Sequence, residues 1–179
     1  MLISNEWLKD YVNVDQSVQA LAERITRTGI EVDDIIDYTK DIKKLVVGHV
    51  LSKTPHPDAD KLNICQVDLG EEEPVQIVCG APNVDEGQHV IVAKVGGRLP
   101  GGIKIKCAKL RGERSEGMIC SLQEIGISSH VTPKNYESGI YVFPEAVKPG
   151  TDALEAIYLN DQVMEFDLTP DRADALSMV

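Results

Sequence analysis

Apolar positions change their period twice along the chain, and each change marks a boundary between predicted elements. Met1 to Ser4 is a short apolar stretch, and Asn5 is placed to cap a turn that begins Glu6-Trp7-Leu8. From Ser17 onward, Val18, Leu21, Ala22 and Ile25 recur at helical spacing until Gly29 ends the run, and Ile30 to Tyr38 turns to extended character. From Leu45 the period is that of strands: Val46–Leu51, Leu62–Leu69, Val75–Cys79, His89–Ala93, Ile103–Lys106 and Gly117–Ser121, each bounded by Gly, Pro, Asn or Asp. Short strands without long helical runs between them predict a small closed barrel. Val95–Gly102 (VGGRLPGG) reads as a glycine-proline hairpin connection that displays Arg98 at its tip.

After Pro149-Gly150, the pattern predicts a helix over Asp152–Leu159, a strand over Gln162–Leu168 and a helix start from Asp174 to Val179. A chain ending inside a first helical turn is expected to be a fragment of something longer. Residues 1–40 and 151–179 are each too short to bury a core alone, and both are acidic with mixed α and β character. The expected organisation is one discontinuous α+β domain made from these two pieces, with residues 41–150 inserted as the barrel.

Charge sharpens this division. The net charge is −11, which by itself opposes a nucleic-acid partner, because phosphate binding rests on Lys and Arg displacing counterions. The segments carry −4 (1–40), −1 (41–150) and −6 (151–179), and within the middle one Lys94, Arg98, Lys104, Lys106, Lys109, Arg111 and Arg114 face only Glu113. The acidic chain thus holds one basic stripe. Eight aromatic residues are too few for single-strand binding that works mainly by stacking bases on exposed rings. Cys65, Cys79, Cys107 and Cys120 lack the paired spacing of a zinc knuckle or redox dithiol and read as buried free thiols. No metal site is expected. No apolar run reaches the roughly 20 residues that a membrane-crossing helix needs, so a cytoplasmic protein without a membrane partner is the expectation.

Three stretches offer chemistry. His56–Leu62 (HPDADKL) gathers an imidazole and two carboxylates, yet Pro57 with the short acids describes a turn that launches the next strand and leaves Lys61 available to a phosphate. The glycines at 96, 97, 101 and 102 are not followed by the lysine and hydroxyl of a phosphate loop and fit turns instead. Lys104–Met118 (KIKCAKLRGERSEGM) puts Lys104 and Lys106 on one strand face and continues the positive surface through Lys109, Arg111 and Arg114. These residues alone fit either a phosphate-binding surface, with Ser115 adding a shorter hydrogen bond, or a merely solvated charged face.

Taken in order, His56–Leu62, Ile77–Asn83 (IVCGAPN), Ala108–Gly112 (AKLRG) and Ser115–Met118 (SEGM) resemble the tRNA-binding barrel shared by methionyl-tRNA synthetase carboxy-terminal modules, the endothelial monocyte-activating polypeptide group and the phenylalanyl-tRNA synthetase β subunit. The flanking Met1–Leu8 (MLISNEWL), Thr28–Val32 (TGIEV) and Asp167–Ser177 (DLTPDRADALS) resemble the start of the bacterial phenylalanyl-tRNA synthetase β subunit, with Asp171 where that family usually has asparagine.

The resemblance implies an oligonucleotide-binding (OB) fold barrel, tRNA and a synthetase α subunit as partners, and ATP with magnesium as requirements of the full two-α, two-β ligase. It places aminoacylation on the α subunit and editing beyond the present chain, so no catalytic residue and no cofactor is expected within these residues. An RNA-facing role carries over to Lys61, Asn83, Lys106, Arg111, Ser115 and Met118, whereas Lys94, Arg98, Lys104, Lys109 and Arg114 enter on charge and position. Two other readings compete: a module that mainly supports subunit assembly, and a free-standing barrel acting as a tRNA or peptide chaperone.

Overall fold

A computed structural model describes residues 1–175 and divides them into two units, one formed by residues 1–40 with the chain from 159 onward, the other by residues 41–158. In chain order the first unit opens with β1 (Leu2–Ser4), α1 (Asn5–Leu8), α2 (Val18–Arg27) and β2 (Glu31–Asp37). The second unit holds β3 (Lys43–His56), β4 (Ala59–Asp68), β5 (Val75–Cys79), β6 (His89–Leu99), β7 (Ile103–Lys104), β8 (Ala108–Leu110), β9 (Glu113–Ser115), β10 (Gly117–Ile119) and α3 (Ala153–Ala156). The chain then returns to the first unit as β11 (Gln162–Asp167).

In the first unit β11 is the central strand, pairing antiparallel with β1 on one side and β2 on the other. Met164 on β11 stands opposite both Ile3 and Ile35 and packs with Val18, Ala22 and Phe166. Neither chain end could assemble this core alone. Ser17 caps α2 by accepting from the Ala20 amide at 3.3 Å, and Gly29 turns the chain away at φ 94°. The cap of α1 is Ser4, not Asn5: the Ser4 hydroxyl accepts from the Trp7 amide at 3.0 Å, while Asn5 is the first helical residue and buried. Leu176 to Val179, and with them most of the helix start expected from Asp174, lie outside the described residues.

In the second unit β3 is long enough to pair with β4 along one edge and β6 along the other, giving the order β10-β6-β3-β4-β5. That is the strand order of the five-stranded OB architecture, a partly open Greek-key barrel. Val50, Cys65, Val67, Ile77, Val90 and Val92 fill its interior. Burial pushes the Cys65 thiol up to about 11 and the Cys120 thiol up to about 12, keeping both protonated as small apolar groups. Cys107 departs from the expectation of buried thiols, being exposed.

Closure is the main correction to the predicted barrel. No ladder joins β5 to β10; instead the Glu116 amide donates to the Gln76 carbonyl at 2.8 Å and the Ser115 hydroxyl accepts from the Val78 amide at 3.0 Å. Because β10 has only three residues, a side chain does what a strand partner would otherwise do.

Two further boundaries move. The glycines of VGGRLPGG do not end β6, whose register against β3 shifts between Ala93 and Arg98 and which continues to Leu99, so Arg98 lies within a ladder and the turn falls on Pro100–Gly102. Residues 151–158 join the barrel unit: the Val47 amide donates to the Thr151 carbonyl at 2.8 Å, and Asp152 pairs with Val46 as it caps α3. Among the described residues no helix is long and apolar enough to cross a membrane.

Candidate nucleic-acid interface

The strip of barrel edge that carries the basic stripe is built from two connections, the β3–β4 turn and the long passage from β6 to β10. Within the passage, β8 and β9 form a hairpin, although the strand pattern of the sequence predicts no element between Lys106 and Gly117. Leu110 pairs with Glu113, leaving Arg111 (φ 48°) and Gly112 (φ 97°) as a two-residue loop with both residues left-handed, the signature of a type I′ turn. A side chain in that region costs about 1 kcal/mol or more, and Arg111 accepts it at the exposed tip.

A histidine strut ties the two connections together. His56 is 5% exposed; its Nδ1 accepts from the Asp58 amide at 3.0 Å, so its Nε2–H donates to the Leu110 carbonyl at 3.0 Å. The imidazole is therefore occupied on both sides, and the HPDADKL segment is a turn fixed to the hairpin. As a result Lys61, Asp58 and Asp60 line one shallow cleft with Arg111. Gln76 adds a second tether, donating from Nε2 to Glu113 at 3.1 Å and to the Arg114 carbonyl at 2.9 Å.

Beside the hairpin, Lys104, Lys106, Leu110 and Met118 line a groove whose floor includes Val78. Lys109 and Arg114 stand opposite each other across β8 and β9. Arg114 is ion-paired with Glu116 at 2.6 Å and donates from Nε to the exposed Cys107 Sγ at 3.2 Å. Lys94 is ion-paired with Glu71. Among the described residues Lys61, Arg98, Lys104, Lys106, Lys109 and Arg111 form no ion pair with a carboxylate.

Two candidates make hydrogen bonds inside the fold. Ser115 is buried, its hydroxyl donating to the Gly117 carbonyl while accepting from the Val78 amide, and it also lines the groove beside Met118. Asn83 grips the backbone of Ile140, accepting from its amide at 3.0 Å and donating to its carbonyl at 2.8 Å. The strut His56 and the tether Gln76 were missed as site residues. Nothing in the local sequence pattern signals that His56 and the AKLRG segment meet, since the contact joins residues far apart in the chain.

The pattern that decides the lineage spans this whole edge: residues 45–152 match the family model described as "Putative tRNA binding domain". The chain belongs to that family. Over its full length this tRNA-binding-domain chain is 98% identical to the phenylalanine–tRNA ligase β subunit of Staphylococcus epidermidis and 83% identical to that of Staphylococcus aureus. It spans 22% of the length of each of these relatives. Among solved structures, the carboxy-terminal domain of Plasmodium vivax p43 aligns with a TM-score of 0.43 at 24% identity, over 64% of this chain and 61% of that one.

Proposed function

We propose that this chain is the tRNA-binding region of a phenylalanine–tRNA ligase β subunit, and that it meets RNA through the edge formed by the β3–β4 turn and the β8–β9 hairpin. The observation that supports the reading is the His56 strut, which gathers Lys61 and Arg111, neither of them ion-paired among the described residues, into one cleft that Asp58 and Asp60 also line. OB architectures bind oligonucleotides with the corresponding pair of loops. Long cations on a twisted edge suit a phosphate backbone, and Met118 and Leu110 in the adjacent groove supply apolar contact to a sugar or base face.

The whole enzyme, in this proposal, joins phenylalanine to its tRNA in the cytoplasm using ATP and magnesium, with an α subunit as partner. The present residues supply RNA binding and no chemical step. Among the described residues no cluster of three or more His, Cys, Asp or Glu side chains is arranged to hold a metal ion, so no step is assigned to one here.

Fluorescence anisotropy of labelled tRNA across a salt series tests the reading. Binding is expected to weaken with salt at a slope of about −0.7 to −0.9 per phosphate contact, and Lys106→Ala/Lys109→Ala/Arg111→Ala is expected to make that slope shallower by about 2. Absence of binding at low salt would overturn the assignment.

A further inference from the structure

Three cations of the barrel unit are ion-paired within it. Lys53 pairs with Asp85 at 3.7 Å, Lys94 with Glu71 and Arg114 with Glu116, as expected in an acidic chain with carboxylates to spare. A second set is placed against its own charge. Lys43 on β3 stands directly opposite Arg98 on β6, and Arg98 stands directly opposite Lys104 on β7. All three are exposed, and among the described residues none has a carboxylate partner.

Directly opposed residues of antiparallel strands project from the same face, and like charges so placed are destabilising. Three adjacent strands set the charges across roughly 10 Å. The backbone here is shaped around the cluster. Where the register of β6 against β3 shifts, a β-carbon on Gly97 would lie 2.9 Å from the Lys43 carbonyl oxygen, and one on Gly96 would lie 3.2 Å from the Lys44 ammonium. Lys44 itself is left-handed at φ 60° and adds a fourth cation beside the row.

We propose that Lys43, Arg98 and Lys104, with Lys44 beside them, form a phosphate platform that holds successive phosphodiesters of a bound RNA, separate in its residues from the turn-and-hairpin edge. This rests on the RNA-binding reading above and extends it to the β3–β6–β7 ladder. Lys104 also lines the groove with Lys106 and Met118, so the platform and that groove share a border. The platform reads charge spacing and not base identity, since all of its members are long cations. The negative partner it lacks within the fold is supplied by the RNA.

The test is the tRNA salt series repeated on three proteins: the chain as it stands, the platform variant Lys43→Ala/Arg98→Ala/Lys104→Ala, and the edge variant Lys61→Ala/Lys109→Ala/Arg111→Ala. The platform variant is expected to have a slope shallower by about 1.4 to 2.7, corresponding to two or three lost contacts. Its melting temperature should be unchanged or higher, because the substitutions remove like-charge repulsion. Lys43→Arg/Lys104→Arg, which keeps the charges, should retain the parent slope, separating loss of charge from loss of fold.

A platform variant with the parent slope, alongside a shallower edge variant, would overturn the platform and leave the RNA reading standing. No salt-dependent binding by the parent chain would overturn both. In a parallel arm, inorganic polyphosphate that binds the platform as tightly as tRNA does, phosphate for phosphate, would overturn the assignment to RNA.

Discussion

Replacing Gly48 with alanine is expected to lower the melting temperature of the barrel unit by on the order of 10 °C, and replacing it with valine to prevent its folding. Gly48 lies in β3, the strand that pairs on both edges, and it stands against Val90 of β6. A β-carbon there would lie 2.7 Å from methyl groups of both Val67 and Val92, and 3.0 Å from Leu69. Val67 and Val92 have no solvent exposure, and their side chains belong to the packed interior, which has no free volume to yield.

Overpacking of this kind costs about 1–3 kcal/mol for one added methyl and more for a branched side chain. One kcal/mol moves the midpoint of a small domain by about 4–8 °C. Thermal unfolding followed by circular dichroism measures the effect. Gly48→Ala combined with Val67→Ala should recover much of the loss, because the second change removes one of the colliding methyls; such coupling is what contacting residues show. A midpoint for Gly48→Ala within about 2 °C of the parent would mean that the interior is looser than described.

His56→Ala is expected to act on both stability and RNA binding while leaving the surface cations in place. The substitution leaves the Leu110 carbonyl and the Asp58 amide without their partner and opens space where a buried ring stood. Leu110 and Asp58 are exposed, so water takes up the freed groups, and exchanging two hydrogen bonds for water at about 0.5–1.5 kcal/mol each gives an expected loss of about 1–3 kcal/mol for the unit. With the strut gone, the β3–β4 turn and the hairpin no longer hold Lys61 beside Arg111. Affinity for tRNA should fall on the order of tenfold, equivalent to about 1.4 kcal/mol, even at temperatures where the variant is fully folded. Urea unfolding and anisotropy read the two effects separately. Unchanged affinity in a folded His56→Ala protein would remove the strut from the account.

Much of the fold was legible from periodicity, and the failures have identifiable causes. Val75–Cys79 is a strand with the predicted limits, because a short apolar run between polar boundaries has few other readings. Ser17 and Gly29 bracket α2 as their capping chemistry requires. The β8–β9 hairpin was invisible because its strands are three residues each, carry charges in place of alternating apolar positions, and turn on an arginine in a conformation that usually signals glycine or asparagine. Arg98 was misplaced because consecutive glycines suggest a turn, whereas here they lie where the register shifts within a continuing strand.

The site was half legible. The cations of residues 94–114 stood out by composition, but which of them are neutralised is a matter of partners distant in sequence, such as Glu71 for Lys94. Ser115 and Asn83 have the polarity of ligand-binding residues but bond to backbone groups distant in the chain, contacts only the folded chain reveals. Lys43 and Lys44 escaped notice because they lie some fifty residues before Arg98 in the chain and meet it only through strand register.

The central claim is tested most directly by amide chemical shifts of the isotope-labelled chain during titration with tRNA. The account predicts perturbations concentrated in residues 56–62 and 104–118, with the three-stranded sheet of β1, β11 and β2 little affected. Shifts confined to that sheet and α2, with the β3–β4 turn and the β8–β9 hairpin silent, would contradict it.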